Sequence, residues 1–318
     1  MHLALYNTML KKNLVILPLL VWSNLSAQNT EVLKKYEDSL KVLQIPMYRG
    51  KADAAKETAN EKFKRIFSDA LKQDKSFDFP FDSLKEIGRI YSPDRTFRII
   101  NWDIPKADGT YDYFGLVQVY DAKTKTYVVH ELTDKSQDVK TPETYSGTAD
   151  KWYGMLYYKI IPVKYKKKKY YTLLGFDPND NLTAKKVIDV LTFSNGTVPK
   201  FGADIFKMEK RSPKRVVFEY SSKAVMSLKY NEEHKVIVFD HLTPSVPQFD
   251  GQFQYYGPDF SLDALKFEKG KWVYIADVDE RNPGSSKDAK YNNPNDKLKE
   301  KGDGNEKKIY EQEKQKPK

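Results

Sequence analysis

The chain has 318 residues, 54 Lys and Arg against 44 Asp and Glu, a net charge of +10 and no cysteine. That length supports one large or two ordinary hydrophobic cores, and the lack of cysteine excludes disulfides, cysteine-based zinc sites and the lipid-modified cysteine of a bacterial lipoprotein. The positive balance permits attraction to anionic surfaces, although lysine is spread along the whole chain.

The first purposeful stretch is MLKKNLVILPLLVWSNLSAQ, at 9 to 28. Lys11 and Lys12 precede an apolar run from Leu14 to Trp22, and small and polar residues continue as far as Ala27. This is the three-part layout of a secretory signal peptide, too short and wrongly flanked for a membrane span. Residues 1–27 are therefore read as a signal peptide, with a mature chain from Gln28 bound for the periplasm or the outside. No later apolar run reaches the roughly 20 residues that a spanning helix needs.

A helical hairpin is expected over 28–76. Leu33, Tyr36, Leu40 and Leu43 recur at three- and four-residue intervals, and Pro46 is expected to end that helix. Between 51 and 72, Ala55, Ala59, Phe63, Ile66, Phe67 and Ala70 make a second apolar stripe. Neither stripe lasts enough heptads to favour a coiled coil, so the pair is expected to pack on the strand-rich region C-terminal to it.

From 77 to 279 the period changes to alternation. Runs such as RTFRIINWD, YDYFGLVQVYD, TYVVHEL, WYGMLYYKIIPV, YYTLLGF, KRVVFEYS, AVMSLKY, KVIVFDHL and KWVYIA read as strands. SPDR, KADGT, FSNGT and EKGK supply the turns between them. LTAKKVIDVLTF, at 182 to 193, admits a helix capped by Thr183, but its β-branched content and the Asn195-Gly196 turn just beyond it favour a strand. The expected fold is mainly β, an antiparallel meander forming a sandwich or barrel-like body. Beyond 279 apolar residues nearly vanish, so 280–318 reads as a disordered charged tail.

The blocks YYTLLGFDPNDNLTAKKVIDVLTF, FGADIF, RVVFEYSSKAVMSLKY, VIVFDHLTP and YYGPDFSLDALKFEKGKW resemble those of a functionally uncharacterised exported protein family of Bacteroidetes bacteria. The resemblance spans roughly 77 to 276. It implies an envelope location and a shared fold, and it carries no catalytic residue.

The most conspicuous chemistry is YKIIPVKYKKKKYYTLL, which places Lys164 and Lys166, Lys167, Lys168 and Lys169 among Tyr165, Tyr170 and Tyr171. Between two strand patterns it reads as the wet tip of a hairpin, where lysine discourages edge pairing. As a site it would take a polyanion. Nucleic acid is not expected as the partner of an exported protein, which leaves lipid or polysaccharide anions. DPNDN, at 177 to 181, is rich in oxygen ligands, but read as a calcium loop it lacks the sixth-position Gly and has Ile188 where the bidentate Glu belongs. His130, His234 and His241 show no metal-site spacing, and no nucleophile elbow, P-loop or dinucleotide fingerprint occurs, so no cofactor is expected. Asp103, Asp177, Asp240 and His241, at strand ends, are the remaining catalytic candidates. Trp102, Trp152, Tyr153, Tyr255 and Tyr256 lie near strand ends or loops, as cross-strand packing or as an exposed platform for a sugar or a protein. The functional expectation is a non-enzymatic envelope protein that binds or scaffolds a protein or glycan, with a glycan hydrolase as the alternative.

Overall fold

In a computed structural model the chain is described over residues 16–278, with side chains from Asn29 onward. The first half of the signal-peptide pattern and the charged tail thus lie outside the described residues. Two helices lead, α1 (Ile16–Arg49) and α2 (Asp53–Leu71). Pro46 does not end α1. It occupies the exposed side of the last turn, and its carbonyl still accepts from the Gly50 N–H at 3.0 Å. Met47, seven residues beyond Leu40 and fourteen beyond Leu33, is fully buried with them and holds that turn on the core.

The strands come in chain order: β1 (Gly88–Tyr91), β2 (Phe97–Pro105), β3 (Tyr111–Asp121) and β4 (Thr126–Thr133). Next come β5 (Gly147–Thr148), β6 (Leu156–Tyr165), β7 (Lys168–Asp177), β8 (Thr183–Ser194), β9 (Val198–Phe201), β10 (Phe206–Lys207) and β11 (Val216–Ser221). The last are β12 (Leu228–Asn231), β13 (Val236–Pro244), β14 (Tyr256–Glu268) and β15 (Lys271–Ile275). They form three sheets, β1-β2-β3-β4, β5-β9-β8-β7-β6 and β10-β15-β14-β13-β12, and β11 joins the second. Pairing is antiparallel throughout except for the short parallel β10–β15 contact.

The residue types explain the elements. The segment 182 to 193 is strand, as its β-branched run requires, and ends at Asn195 and Gly196, both with the positive φ of a tight hairpin turn. In AVMSLKY the alternation holds, with Met226 and Leu228 buried and Ser227 and Lys229 exposed, but ladder pairing begins only at Leu228. β8 is shared along one edge. Its first half pairs with β11 and its second half with β9, while β7 covers the other edge.

Three cores separate four layers. Leu33, Leu40, Phe63 and Phe67 of the helices pack on Ile100, Trp102, Ile104 and Leu116 of the first sheet. The opposite face of that sheet, with Phe97, Ile99 and Val117, meets Tyr157, Leu173, Val187 and Leu191 of the second. The far face of the second sheet, with Leu174, Ile188 and Val190, meets Ile237, Phe239, Leu265 and Trp272 of the third. Strands buried on both faces lose the alternation of half-buried ones, which is why FRIINW is buried throughout, with four apolar residues and with Arg98 and Asn101 hydrogen-bonded inside.

Most polar groups inside these layers are paired; the buried side-chain nitrogens without a partner among the described residues are Asn60 Nδ2, His130 Nε2 and Arg215 Nε. Arg98, fully buried, donates to Gln118 Oε1 at 2.7 Å, to Ser76 O at 2.7 Å and to the Tyr91 hydroxyl at 2.9 Å. Gln118 in turn donates to Leu71 O at 2.8 Å, tying the end of α2 to the first sheet. Between the first two sheets Arg215 and Asp189, both with no exposed side-chain surface, pair at 2.9 Å. The Tyr157 hydroxyl donates to the same carboxylate oxygen at 3.0 Å, and Trp152 Nε1 donates to that hydroxyl at 3.1 Å. Removing one member strands a buried charge, so Arg215→Met is expected to lower unfolding free energy by about 3–5 kcal/mol. Adding Asp189→Leu is expected to restore at least half, the remainder reflecting a Tyr157 hydroxyl without its acceptor. Urea titrations of the three proteins check this, and an additive double variant would contradict it.

Candidate functional site

The lysine run closes the β6–β7 hairpin. Val163 pairs with Tyr170, Lys164 with Lys169 and Tyr165 with Lys168, which leaves Lys166 and Lys167 as the tip. Lys166 takes the positive φ of 52° that so short a turn demands. This is the hairpin tip that the flanking strand patterns predict, and a second tip lies against it. Gly270, in the β14–β15 turn, has φ +88°, and a Cβ there would stand 2.5 Å from the Tyr165 ring. Only glycine permits this contact, which brings Lys269 and Lys271 beside the run.

Two clefts open around the paired tips. One of about 600 Å³ is lined by Tyr165, Lys166, Lys167, Lys168, Tyr170, Lys269 and Lys271, with Asp204 and Ile205. The other, about 880 Å³, shares Lys167, Lys168, Tyr170, Asp204 and Ile205 and extends over Lys169, Tyr171, Phe193 and Lys200. Together they make one groove with lysines above and aromatic rings along the walls. Lys164 lines neither part.

Two of these lysines are already committed. Lys271 donates to Asp204, at 2.9 Å to Oδ1 and 2.8 Å to the carbonyl. Lys169 is bonded to Asp94, which also accepts from the Tyr171 hydroxyl at 2.8 Å. Burial works against charge on Asp94, but hydrogen bonds from Lys169, Ser92, Tyr171 and Thr96 outweigh it and hold its carboxyl well below the usual range. Lys166 lies over the Tyr165 ring at 5.5 Å. Among the described residues, Lys166, Lys167, Lys168, Lys200 and Lys269 meet no carboxylate, so the groove carries uncompensated positive charge drawn from two turns and from strand β9.

The acid-rich alternative has a different character. A cleft of about 560 Å³ beside α2 is lined by Asp53, Glu57, Glu61, Asp112, Glu131 and Asp134, together with Lys56, Lys64 and Lys106. Lys64 bridges Glu61 at 2.8 Å and Glu131 at 3.0 Å, and Lys56 pairs with Asp53. Lys106 lies 3.6 Å from Asp112, so four of the six carboxylates are paired with a lysine, Asp134 accepts instead from the Ser136 and Gly154 amides, and Glu57 meets no cation among the described residues.

The sequence-derived catalytic candidates do not converge. Asp103 and Asp177 lie close enough to interact electrostatically, whereas Asp240 and His241 belong to the third sheet. Asp177 is bonded to the Tyr113 hydroxyl and accepts from Asn179 N at 2.7 Å, while Asp180 accepts from Leu182 and Thr183. The oxygens of DPNDN are therefore spent on closing the β7–β8 turn. Asp240 accepts from Ser227 N at 2.7 Å, tying a loop to β13. His241 pairs with Asp263, a residue that no sequence motif singles out. Its available signal is a lone acid on the inward side of SLDALKF, on the same face as buried Leu265.

The aromatic platform needs correction. Trp102, Trp152 and Tyr153 are at most 4% exposed and belong to the cores, where their indole and ring faces are used in packing. Tyr255 is exposed and stacks on Phe249 with centroids 4.0 Å apart, and the Tyr256 hydroxyl donates to Asp250. These two keep their place at the surface, but in a separate loop from the groove.

No family model matches the chain, and no curated protein or solved structure is similar to it.

Burial, with like charge from Asp177 and Glu86, pushes Asp103 from the ordinary 3.8 up to about 6, against a backbone hydrogen bond that favours the anion. A carboxyl that holds its proton more tightly in the folded state favours folding at low pH. That contribution is complete below 3.8 and lost as pH rises through about 6. Asp103→Asn is expected to abolish this decline and to be the more stable protein above pH 7 by about 2–3 kcal/mol. Unfolding free energies measured from pH 4 to pH 8 test it, and parallel curves for the two proteins would remove the burial explanation.

Proposed function

We propose that the protein is an exported, non-enzymatic binding protein of the cell envelope that holds an acidic polysaccharide in the lysine groove. The observation that supports this reading is the convergence of lysines from the β6–β7, β8–β9 and β14–β15 regions on one aromatic-walled groove, with five of them unmatched by carboxylates. Solvation of a single hairpin tip needs no such convergence. Tyrosine and phenylalanine faces in the wall suit the apolar face of a sugar ring, and ammonium groups suit uronate or phosphate substituents. The tips are also preorganised, because the Gly270–Tyr165 contact ties one turn to the other before any ligand arrives.

The leader-like pattern at 9 to 28 and the resemblance to exported Bacteroidetes proteins support the envelope setting. Beside α2, four acids are paired with lysines and Asp134 is held by the Ser136 and Gly154 amides, which leaves Glu57 as the one unengaged carboxyl of that cleft among the described residues; this favours binding over glycoside hydrolysis, which requires one carboxyl free to donate a proton and another free to attack or activate water.

Binding to immobilised polygalacturonate, with neutral dextran as control, tests the reading. Retention is expected on the polyuronate alone and is expected to fall steeply between low and physiological salt. Replacing Lys166, Lys167 and Lys168 together by Gln is expected to weaken it by roughly a hundredfold, at about 1 kcal/mol for each lysine facing an anionic surface. Undiminished retention by that variant sinks the groove as the site. Fractionation of cells expressing the full chain tests the location separately.

A further inference from the structure

The third sheet holds a second built site, independent of the lysine groove. β13 and β14 lose register at one point, where Asp240 faces Leu262 but Leu242 faces Pro258. His241 alone therefore stands opposite Asp259, Phe260 and Ser261. A bulge of this kind frees a side chain from the strict in-and-out alternation of the ladder and re-aims it. Phe260 shows the local strain, with φ of 72° on a residue that is not glycine.

The re-aimed imidazole is held from behind. His241 Nδ1 bonds to Asp263 Oδ2 at 2.7 Å, the Tyr274 hydroxyl donates to the same oxygen at 2.8 Å, and Asp277 N donates to Oδ1 at 3.1 Å. The Asp263 side chain is only 5% exposed, against 43% for His241. One oxygen of a buried carboxylate thus holds the half-exposed ring while the Tyr274 hydroxyl and the Asp277 amide hold the carboxylate, and no described residue engages Nε2. A carboxylate placed in this way sets the tautomer and favours the imidazolium.

His241 borders a cavity of about 430 Å³ with an apolar side made by Met208, Phe218, Phe239 and Leu242 and a polar side that includes Asp263 and Tyr274. The Phe218 and Phe239 rings lie 4.6 Å apart and form its apolar side. Such a volume matches a small molecule, and an apolar wall with a few fixed polar groups, here His241 backed by Asp263 and Tyr274, is the usual design of a small-ligand pocket. We propose that this cavity binds a small organic anion with an apolar body, such as an aryl or short alkyl carboxylate, with its carboxylate on His241 Nε2 and its body on Phe218, Phe239, Leu242 and Met208.

The ion state of the ring controls this site. The hydrogen bond that His241 donates to Asp263 raises its pKa above the ordinary 6.5 against the opposing effect of burial, with Asp263 and Asp259 adding attraction. The other charged or titratable groups around the cavity are Asp240, Glu209, Lys210, Arg211 and Tyr274, and Arg211 already lies 3.6 Å from Glu143. Affinity for a carboxylate is therefore expected to be high when the imidazolium is present and to fall as pH rises through its deprotonation.

The probes are 4-phenylbutyrate and its neutral counterpart 4-phenylbutanol, titrated into the full chain while the ring signals of His241 are followed by NMR. Saturable binding of the acid is expected, about tenfold tighter than that of the alcohol and weakening by about tenfold between pH 6 and pH 9. His241→Gln is expected to erase the difference between acid and alcohol, and Phe218→Ala to weaken both. The pH series on the unaltered chain stands even where a variant folds poorly. No saturable shift, equal affinity for acid and alcohol, or a flat pH profile each overturns the proposal. Replacement of Lys166, Lys167 and Lys168 by Gln is expected to leave this binding unchanged, and its loss in that variant would count against a separate site.

Discussion

The structure depends on two stacked sheets that are buried on both faces. A sheet with one wet face can send its polar side chains to solvent, but the central strands β2, β3, β7 and β8 of the first and second sheets here have no such outlet along most of their length. Every polar group that enters must find its partner inside the stack. Arg98 with Gln118, Asp189 with Arg215 and Tyr157, and Trp272 Nε1 with Thr172 Oγ1 at 2.8 Å are the local solutions, one at each interface. Trp272–Thr172 joins the third sheet to the second, and Arg98 and Gln118 reach from the first sheet to Ser76 and Leu71 at the end of the helices, so these bonds also fix how the layers are aligned, while Asp189, Arg215 and Tyr157 brace the second sheet from within.

That alignment sets the groove. The β6–β7 tip belongs to the second sheet and the β14–β15 tip to the third, so their contact is an outcome of how the two sheets are stacked. Trp272 and Thr172 lie just inside the tips and join the same two sheets through a buried hydrogen bond. The lysines therefore project from turns whose spacing is determined by packed aromatic residues below them. A binding surface on such turns combines mobile ammonium groups with a fixed floor.

Much of this was legible from periodicity. The helical stripes, the strand runs, the Asn195-Gly196 and Lys269-Gly270 turns and the hairpin nature of the lysine run all derive from local chemistry, since each involves neighbours in sequence. What local chemistry does not encode is which face meets which sheet. Trp102 and Trp152 were readable as exposed because strand ends usually are, yet both are enclosed by elements far away in the chain. Pro46 was readable as a helix stop because its missing N–H is a local fact, whereas the burial of Met47 that carries α1 onward is a tertiary one. The convergence of Lys200 and Lys269 on the lysine run, and of Asp263 on His241, belongs to the same class.

The layers are also laid down in chain order, and this has a consequence for how the molecule is made. The helices and first sheet, residues 29 to 133, can close their own core before the rest of the chain emerges. The reverse face of that sheet, with Phe97, Ile99 and Val117, stays bare until the strands of the second sheet through Phe201 are in place, that sheet is complete only when β11 ends at Ser221, and it waits in turn for Trp272. A nascent chain halted between these points presents a ready-made apolar sheet face to its neighbours. The stage most prone to aggregation is thus the interval between the first sheet and the second, and an agent that shields extended apolar faces is most useful there.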